Sequence, residues 1–231
     1  MIISSSVPWT ALASFTGEQI LSPICHLDNR SSTHTIRNPE PLVGINWIDD
    51  LIRPEIIELN KFFSVHPWII WADSGSLAFM GPDKYKRGYN GYIVLSRKLL
   101  GDFSSPDSPA QNLLFTILAH EYAHLYQHNR GWWKFLAEGA STKRALELHA
   151  DYLAGFYLAQ RHTRLPQYDP NIVMTRWLDL GDYSFSAPEH HGTPKQRAAA
   201  LEAGYLEGND YHARLVEVVR RGFQWIQARG L

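Results

Sequence analysis

The sequence predicts an α+β domain, and three observations carry that expectation. Short strand-like apolar runs cluster between residues 68 and 96, apolar residues at helical spacing dominate from about residue 109 onward, and one helical pattern precedes the strands. With 231 residues, 45% of them hydrophobic, the chain is long enough to bury a sizeable core.

Residues 1–45 are rich in Ser, Thr and Pro and hold no sustained period, so they are expected to form an irregular N-terminal arm ahead of a domain spanning 46–231. From Ile45 to about Val65, Ile48, Leu51, Ile52, Ile56, Ile57 and Leu59 mark an amphipathic helix, which Pro54 is expected to kink or split. Strand-like runs follow at Trp68–Trp71, Ser76–Met80 and Gly91–Ser96, with a polar loop over 81–90. Ser108-Pro109 opens a helix and Gly131 stops it, which places that helix over about Pro109–Asn129. A second should begin near Ser141 and end before Pro166. A third opens on the capping box Thr193-Pro194-Lys195-Gln196 and is expected to close at Gly204, and a last one covers roughly Asp210–Gln227.

The net charge of −1 gives no basic excess for a nucleic acid or an anionic membrane. The single cysteine, Cys25, permits no internal disulfide. The first basic residue is Arg30, so the N-terminus lacks the charged start of a secretory signal, and no run approaches the ~20 apolar residues of a membrane helix. The expectation is a cytoplasmic protein with no membrane segment.

Within the Pro109–Asn129 helix stands His120-Glu121-Tyr122-Ala123-His124. Residues four apart on a helix lie about one turn, ~6 Å, above one another, so both imidazoles can reach one metal ion. Glu121, one residue round, can reach a water on that ion without replacing it. In a chain with 11 His and 11 Glu, about 0.025 chance matches to this pattern are expected. A catalytic zinc takes three protein ligands and keeps one position open. The next helix offers Glu147 as the third ligand and, on the same face, Asp151 as acceptor for a ligand histidine N–H, while His149 points away from both. The ordinary alternative pairs Glu147 with Lys143 and leaves His120 and His124 as partly exposed polar residues.

His120-Glu121-x-x-His124 followed by Glu147-x-x-Ala150-Asp151 resembles the gluzincins, and more narrowly the bacterial family of predicted neutral zinc metallopeptidases. The likeness rests on "AHEYAHLYQ" (119–127), "LELHADYLAGFY" (146–157) and "LGDYSFSAPEHHGTPKQRAAALEAGY" (180–205), and spans roughly residues 91–206. Ala123 and Leu125 stand where family members often carry Gly and His, and the N-terminal membrane helix of many members is missing. The resemblance implies a zincin-like fold: a small twisted sheet with an edge strand beside the HExxH helix, and a mostly helical C-terminal half. It gives Tyr92, Ile93, Val94 and Leu95 the part of the edge strand that pairs with an extended peptide.

The chemistry expected is hydrolysis of a peptide or protein substrate with one Zn2+ per chain held by His120, His124 and Glu147. Glu121 is the general base, and His191 is the candidate to stabilise the oxyanion, with Tyr205 a weaker one and His190 expected to be solvated. Trp132 and Trp133 are expected in the core or as cleft wall, and Arg197 can pair with Asp151. Two other readings stay open: a catalytically silent zinc-site domain that binds a partner, and a regulatory protease with one partner protein as its substrate.

Overall fold

A computed structural model describes residues 18–21, 25–26, 34–41, 43–74, 77–81, 88–102, 110–138, 140–166, 169–208 and 213–230. In chain order the elements are β1 (Glu18–Leu21), β2 (Cys25–His26), β3 (His34–Glu40), α1 (Asn46–Phe63), β4 (Trp68–Asp73), β5 (Ala78–Gly81), β6 (Tyr92–Ser96), α2 (Ala110–Asn129), α3 (Trp132–Ala137), α4 (Arg144–Arg164), α5 (Asn171–Trp177), α6 (Pro194–Glu207) and α7 (Leu215–Gln227). The fold is α+β, as the sequence predicts.

The strands form one mixed 6-stranded sheet in the order β1-β3-β4-β6-β5-β2. β4 and β6 run parallel, with Ile69 opposite Ile93 and Trp71 opposite Leu95, and the other pairings are antiparallel. Alternate residues serve opposite faces. Ile69, Trp71, Ala78, Met80, Ile93 and Leu95 join the core that includes α1, α2 and α4, whereas Trp68, Ile70, Ala72, Phe79, Tyr92 and Val94 form a separate buried cluster. Burial on both faces is why these strands read as continuous apolar runs rather than alternating ones.

The expectation of an irregular arm over 1–45 fails, because three strands fall within it and β3 pairs directly with β4. A boundary at residue 45 would cut one sheet. Strand pairing rests on main-chain hydrogen bonds, which polar sequences such as His34–Glu40 make without an apolar period. Between Arg37 and Glu40 the register shifts at a bulge, where Asn38 has φ +50° and donates from Nδ2 to Asp73 Oδ2 at 2.8 Å.

Helix α1 runs through Pro54 without a break in its span. α2 is buried almost all round, packed against β5, α1 and α4. α4 lies against α2, α6 and α7. α6 opens on the predicted capping box, with Thr193 and Gln196 exchanging side-chain-to-backbone bonds at 3.2 and 2.9 Å. It continues past Gly204 to Glu207, so Gly204 is no helix stop. A Cβ there would meet Tyr152 O at 1.8 Å, and one at Gly155 would meet Leu201 O at 1.9 Å. The two glycines let α4 and α6 cross with their backbones nearly touching. The short helices α3 and α5 were not foreseen, α4 starts three residues later than expected, and α7 begins at Leu215. No helix among the described residues is long and apolar enough to cross a membrane.

Candidate metal centre

Two adjacent turns of α2 present His120 and His124, and the first turn of α4 presents Glu147 across from them. All three are fully buried, so the alternative of partly exposed histidines is set aside. Lys143, the ordinary partner foreseen for Glu147, bonds Glu189 at 2.6 Å. The Nε2 atoms of His120 and His124 are 3.0 Å apart, and each stands 3.4 Å from an oxygen of Glu147. One ligand atom from each lies within 4.8 Å of the others. Ligands bonded at ~2.0–2.1 Å around a tetrahedral ion stand roughly 3.3–3.4 Å from one another. The spacing fits a single metal ion.

Proton positions strengthen the fit. His124 Nδ1 is 2.8 Å from Gln127 Oε1, and the Gln127 Nε2 donates to the Leu146 carbonyl at 3.0 Å. A carbonyl accepts only, so the Gln127 amide nitrogen must face Leu146 and its oxygen must face His124. His124 therefore carries its proton on Nδ1. His120 Nδ1 lies 2.9 Å from Asp151 Oδ1, a carboxylate that also only accepts, so the His120 proton sits on Nδ1 as well. Both Nε2 atoms then face one point that also faces a carboxylate, an arrangement that suits a cation. The electrostatics show the same preference for positive charge, met here by a second proton on His120. Burial lowers the His120 pKa, but hydrogen bonds to Asp151 and Glu147 and the charges of both outweigh it and raise the value to about 9. Burial also opposes ionisation of Glu147, yet the His191 and His124 charges and the histidine hydrogen bonds hold it well below the usual carboxylate range. The His120–His124–Glu147 group can hold a metal ion.

Asp151 is where predicted, on the same face as Glu147 one turn on. Its oxygens accept from Arg197 Nε and Nη2, both at 2.8 Å, and from Trp177 Nε1 at 3.0 Å. The Arg197 charge keeps the buried Asp151 ionised, against the opposing effect of burial. The pairing of Arg197 with Asp151 expected from the sequence is thus present, and Arg197 Nη2 also lies 3.5 Å from Glu147 Oε2. Glu121, on the same turn as His120, is completely buried.

His191 is buried, and among the described residues neither ring nitrogen meets a hydrogen-bond partner. Burial lowers its pKa, against the opposing pull of the Glu147 charge. Asp182 fixes this loop by accepting from the His191 N–H at 3.0 Å. Gly192, at φ +98°, then turns the chain into α6. His190 is not solvated as expected: it is buried, with Nδ1 2.7 Å from Asp182 Oδ1. Tyr205 is hydrogen-bonded to His162 near the far end of α4. Trp132 stacks on His149, and Trp133 stands edge-on to His124 with ring centres 6.5 Å apart. The two indoles are thus core and wall, as the sequence reading has them.

The substrate-strand expectation is overturned. β6 is an interior strand, paired with β4 on one side and β5 on the other, so the main chain of Tyr92, Ile93, Val94 and Leu95 is already engaged. All four side chains are buried, and Tyr92 and Val94 belong to the cluster on the sheet's other face. The strand packed against α2 is β5, whose outer side pairs with β2 through Met80 and Phe79. The resemblance gives β6 the part of the substrate strand, but its continuous apolar run marks an interior strand.

Sequence reasoning missed Gln127, Trp177 and Asp182. Gln127 had a signal, since it lies three residues beyond His124 on the same helix face. Trp177 sits on a short helix reached through a loop, and nothing local ties it to Asp151. Compared with protein-family models, curated proteins and solved structures, the chain matches none.

Proposed function

We propose that the chain is a zinc-dependent metallopeptidase of gluzincin type, zincin-like in fold and related to the neutral zinc metallopeptidases it resembles. The observation that carries this reading is the convergence of two imidazole Nε2 atoms and a carboxylate at tetrahedral spacing, with Glu121 on the same helical turn. Two imidazoles and a carboxylate suit zinc among the common divalent ions. Bound zinc would act as a Lewis acid toward a peptide carbonyl and would acidify water.

The protein's own groups do the rest. Glu121 takes the proton from the attacking water and passes it to the departing amine nitrogen. His191, buried and with no ring hydrogen bond among the described residues, offers a donor to the developing oxyanion. Asp151 and Gln127 hold the ligand rings in the tautomers that direct Nε2 inward. Arg197 and Trp177 in turn hold Asp151.

One observation favours a second reading. His120, Glu121, His124 and Glu147 are each 0% exposed, as expected for a catalytically silent zinc-site domain that acts by binding a partner protein. The two readings separate in one experiment. Zinc content by mass spectrometry is measured with digestion of an unfolded general protein substrate, for the natural chain and for Glu121→Gln. The peptidase reading expects about one zinc in both and cleavage that falls by ~10² or more in the variant. Zinc without cleavage in either protein rules out a general peptidase and leaves the silent domain or a protease confined to one partner protein, and cleavage unchanged in Glu121→Gln removes Glu121 as the base.

A further inference from the structure

A hydrogen-bonded chain leaves the metal centre in the direction away from Asp151, and it ends on the C-terminal helix. Gln127 Nε2, whose orientation the Leu146 carbonyl fixes, also stands 3.0 Å from His149 Nδ1. Since Gln127 donates there, His149 Nδ1 must accept, and the His149 proton belongs on Nε2. That Nε2 lies 2.9 Å from the carbonyl of Val219 in α7, which can only accept. Every link therefore has one permitted direction: the Val219 carbonyl accepts from His149, His149 accepts from Gln127, and Gln127 accepts from His124. His149 and Gln127 are both fully buried, so water offers neither an alternative partner. The fit of α7 against this end of α4 depends on Gly222, where a Cβ would stand 2.9 Å from the Tyr152 ring and 3.2 Å from His149 Cδ2.

We propose that Gln127 and His149 are positioning residues that couple α7 to the metal centre, fixing His124 in its Nδ1–H tautomer and aiming its Nε2 lone pair. The ordinary reading of His149 is a buried ring that packs against Trp132, at 6.1 Å between ring centres. Packing requires the ring; the relay requires a donor on one side and an acceptor on the other. A phenyl ring keeps the first and loses the second. A glutamine side chain loses the ring but keeps an N–H donor and an oxygen acceptor.

The proposal rests on the metal-centre reading for its consequence, and the test separates the two. Long-range 1H–15N NMR of the natural protein reports the histidine tautomers with or without metal. His149 as the Nε2–H form and His124 as the Nδ1–H form are expected, and the opposite tautomer at His149 overturns the relay. Zinc affinity is then measured by chelator competition for His149→Phe, His149→Gln and Gln127→Met. Outer partners of ligand histidines change metal affinity by ~10–100-fold, so His149→Phe and Gln127→Met should bind zinc that much more weakly, with His149→Gln close to the natural chain. The cobalt-loaded His149→Phe protein should show a shifted visible spectrum as the ligand field changes. Unchanged affinity and spectrum in His149→Phe overturn the relay and leave the metal centre intact. If the natural chain takes up no zinc, the metal reading falls and the tautomers alone decide the relay.

Discussion

Helix α4 carries a buried polar cluster at each end, and the two differ in how their donors and acceptors balance. Toward its C-terminus, Glu55 of α1 accepts from Tyr157 Oη at 2.5 Å and from Arg161 Nε at 3.0 Å, while Arg161 also donates to Asn112 of α2. Each acceptor meets a donor, and the cluster ties α1, α2 and α4 together. Toward its N-terminus, Asp151 is likewise matched by Arg197 and Trp177. One step inward, however, the two imidazole Nε2 atoms and the Glu147 carboxylate face one another at 3.0–3.4 Å. Buried carboxylates and arginines are by themselves ordinary, because a buried charge requires a partner wherever it occurs. A surplus of metal-ligating groups aimed at one point is what distinguishes a cation site from a structural network.

The largest effect should come from removing a member of the surplus. His124→Ala or Glu147→Ala is expected to reduce zinc from about one per chain to a trace, read by mass spectrometry. Full retention in both single variants would end the assignment of these ligands.

The comparison sharpens when each cluster loses a carboxylate charge. Asp151→Asn and Glu55→Gln each remove the nearest counter-charge of a buried arginine, so each should lose about 3 kcal/mol of stability in denaturant unfolding. Only Asp151→Asn should also weaken zinc binding, by ~10–100-fold, because only Asp151 orients a ligand. Equal zinc affinity in the two variants would erase the distinction between the clusters.

His191 tests whether the centre reaches beyond its ligands. His191→Ala should keep its zinc and lower kcat by about 10²-fold, or ~3 kcal/mol, with KM nearly unmoved. A lower melting temperature with normal kcat in the folded fraction would make His191 a packing residue.

The two ends of the molecule were unequally legible in the sequence. The His120–His124 pair, the Glu147–Asp151 pair and the α6 capping box are each encoded at helical spacings, where sequence distance fixes spatial distance within a turn or two; that α2 and α4 bring the two pairs together is a tertiary fact. The sheet is different. Nothing local told β6 from an edge strand, since strand order depends on which distant main chains pair, and β1 and β3 carry no apolar period at all. Gly204 misled for a related reason: locally it reads as a stop, but its task is set by Tyr152 on another helix. Gln127, three residues from His124, was legible by the same helical rule that gave the ligands. The sequence shows of His149 only that it points away from Glu147 and Asp151, because its partner Val219 is remote in sequence.

The smallest effect expected lies at the loop that presents His190 and His191. Burial opposes ionisation of Asp182, but the N–H of His191, the ring of His190 and the N–H of Ser184 together hold its pKa below the usual value. A carboxyl with a lowered folded pKa stabilises the fold fully above its unfolded value, ~3.9, and loses that contribution as pH falls through the folded value. Asparagine keeps one acceptor oxygen without the charge, so Asp182→Asn should cost about 1 kcal/mol at pH 7, or ~2–4 °C in melting temperature. As pH drops from about 5 toward 2, the natural chain loses the same stabilisation and the two melting curves should converge. The loop would then be held by the Asp182 charge. A gap as wide at pH 2 as at pH 7 would mean that the aspartate acts through its shape and its neutral hydrogen bonds, and that the charge on this loop has no part in placing His191.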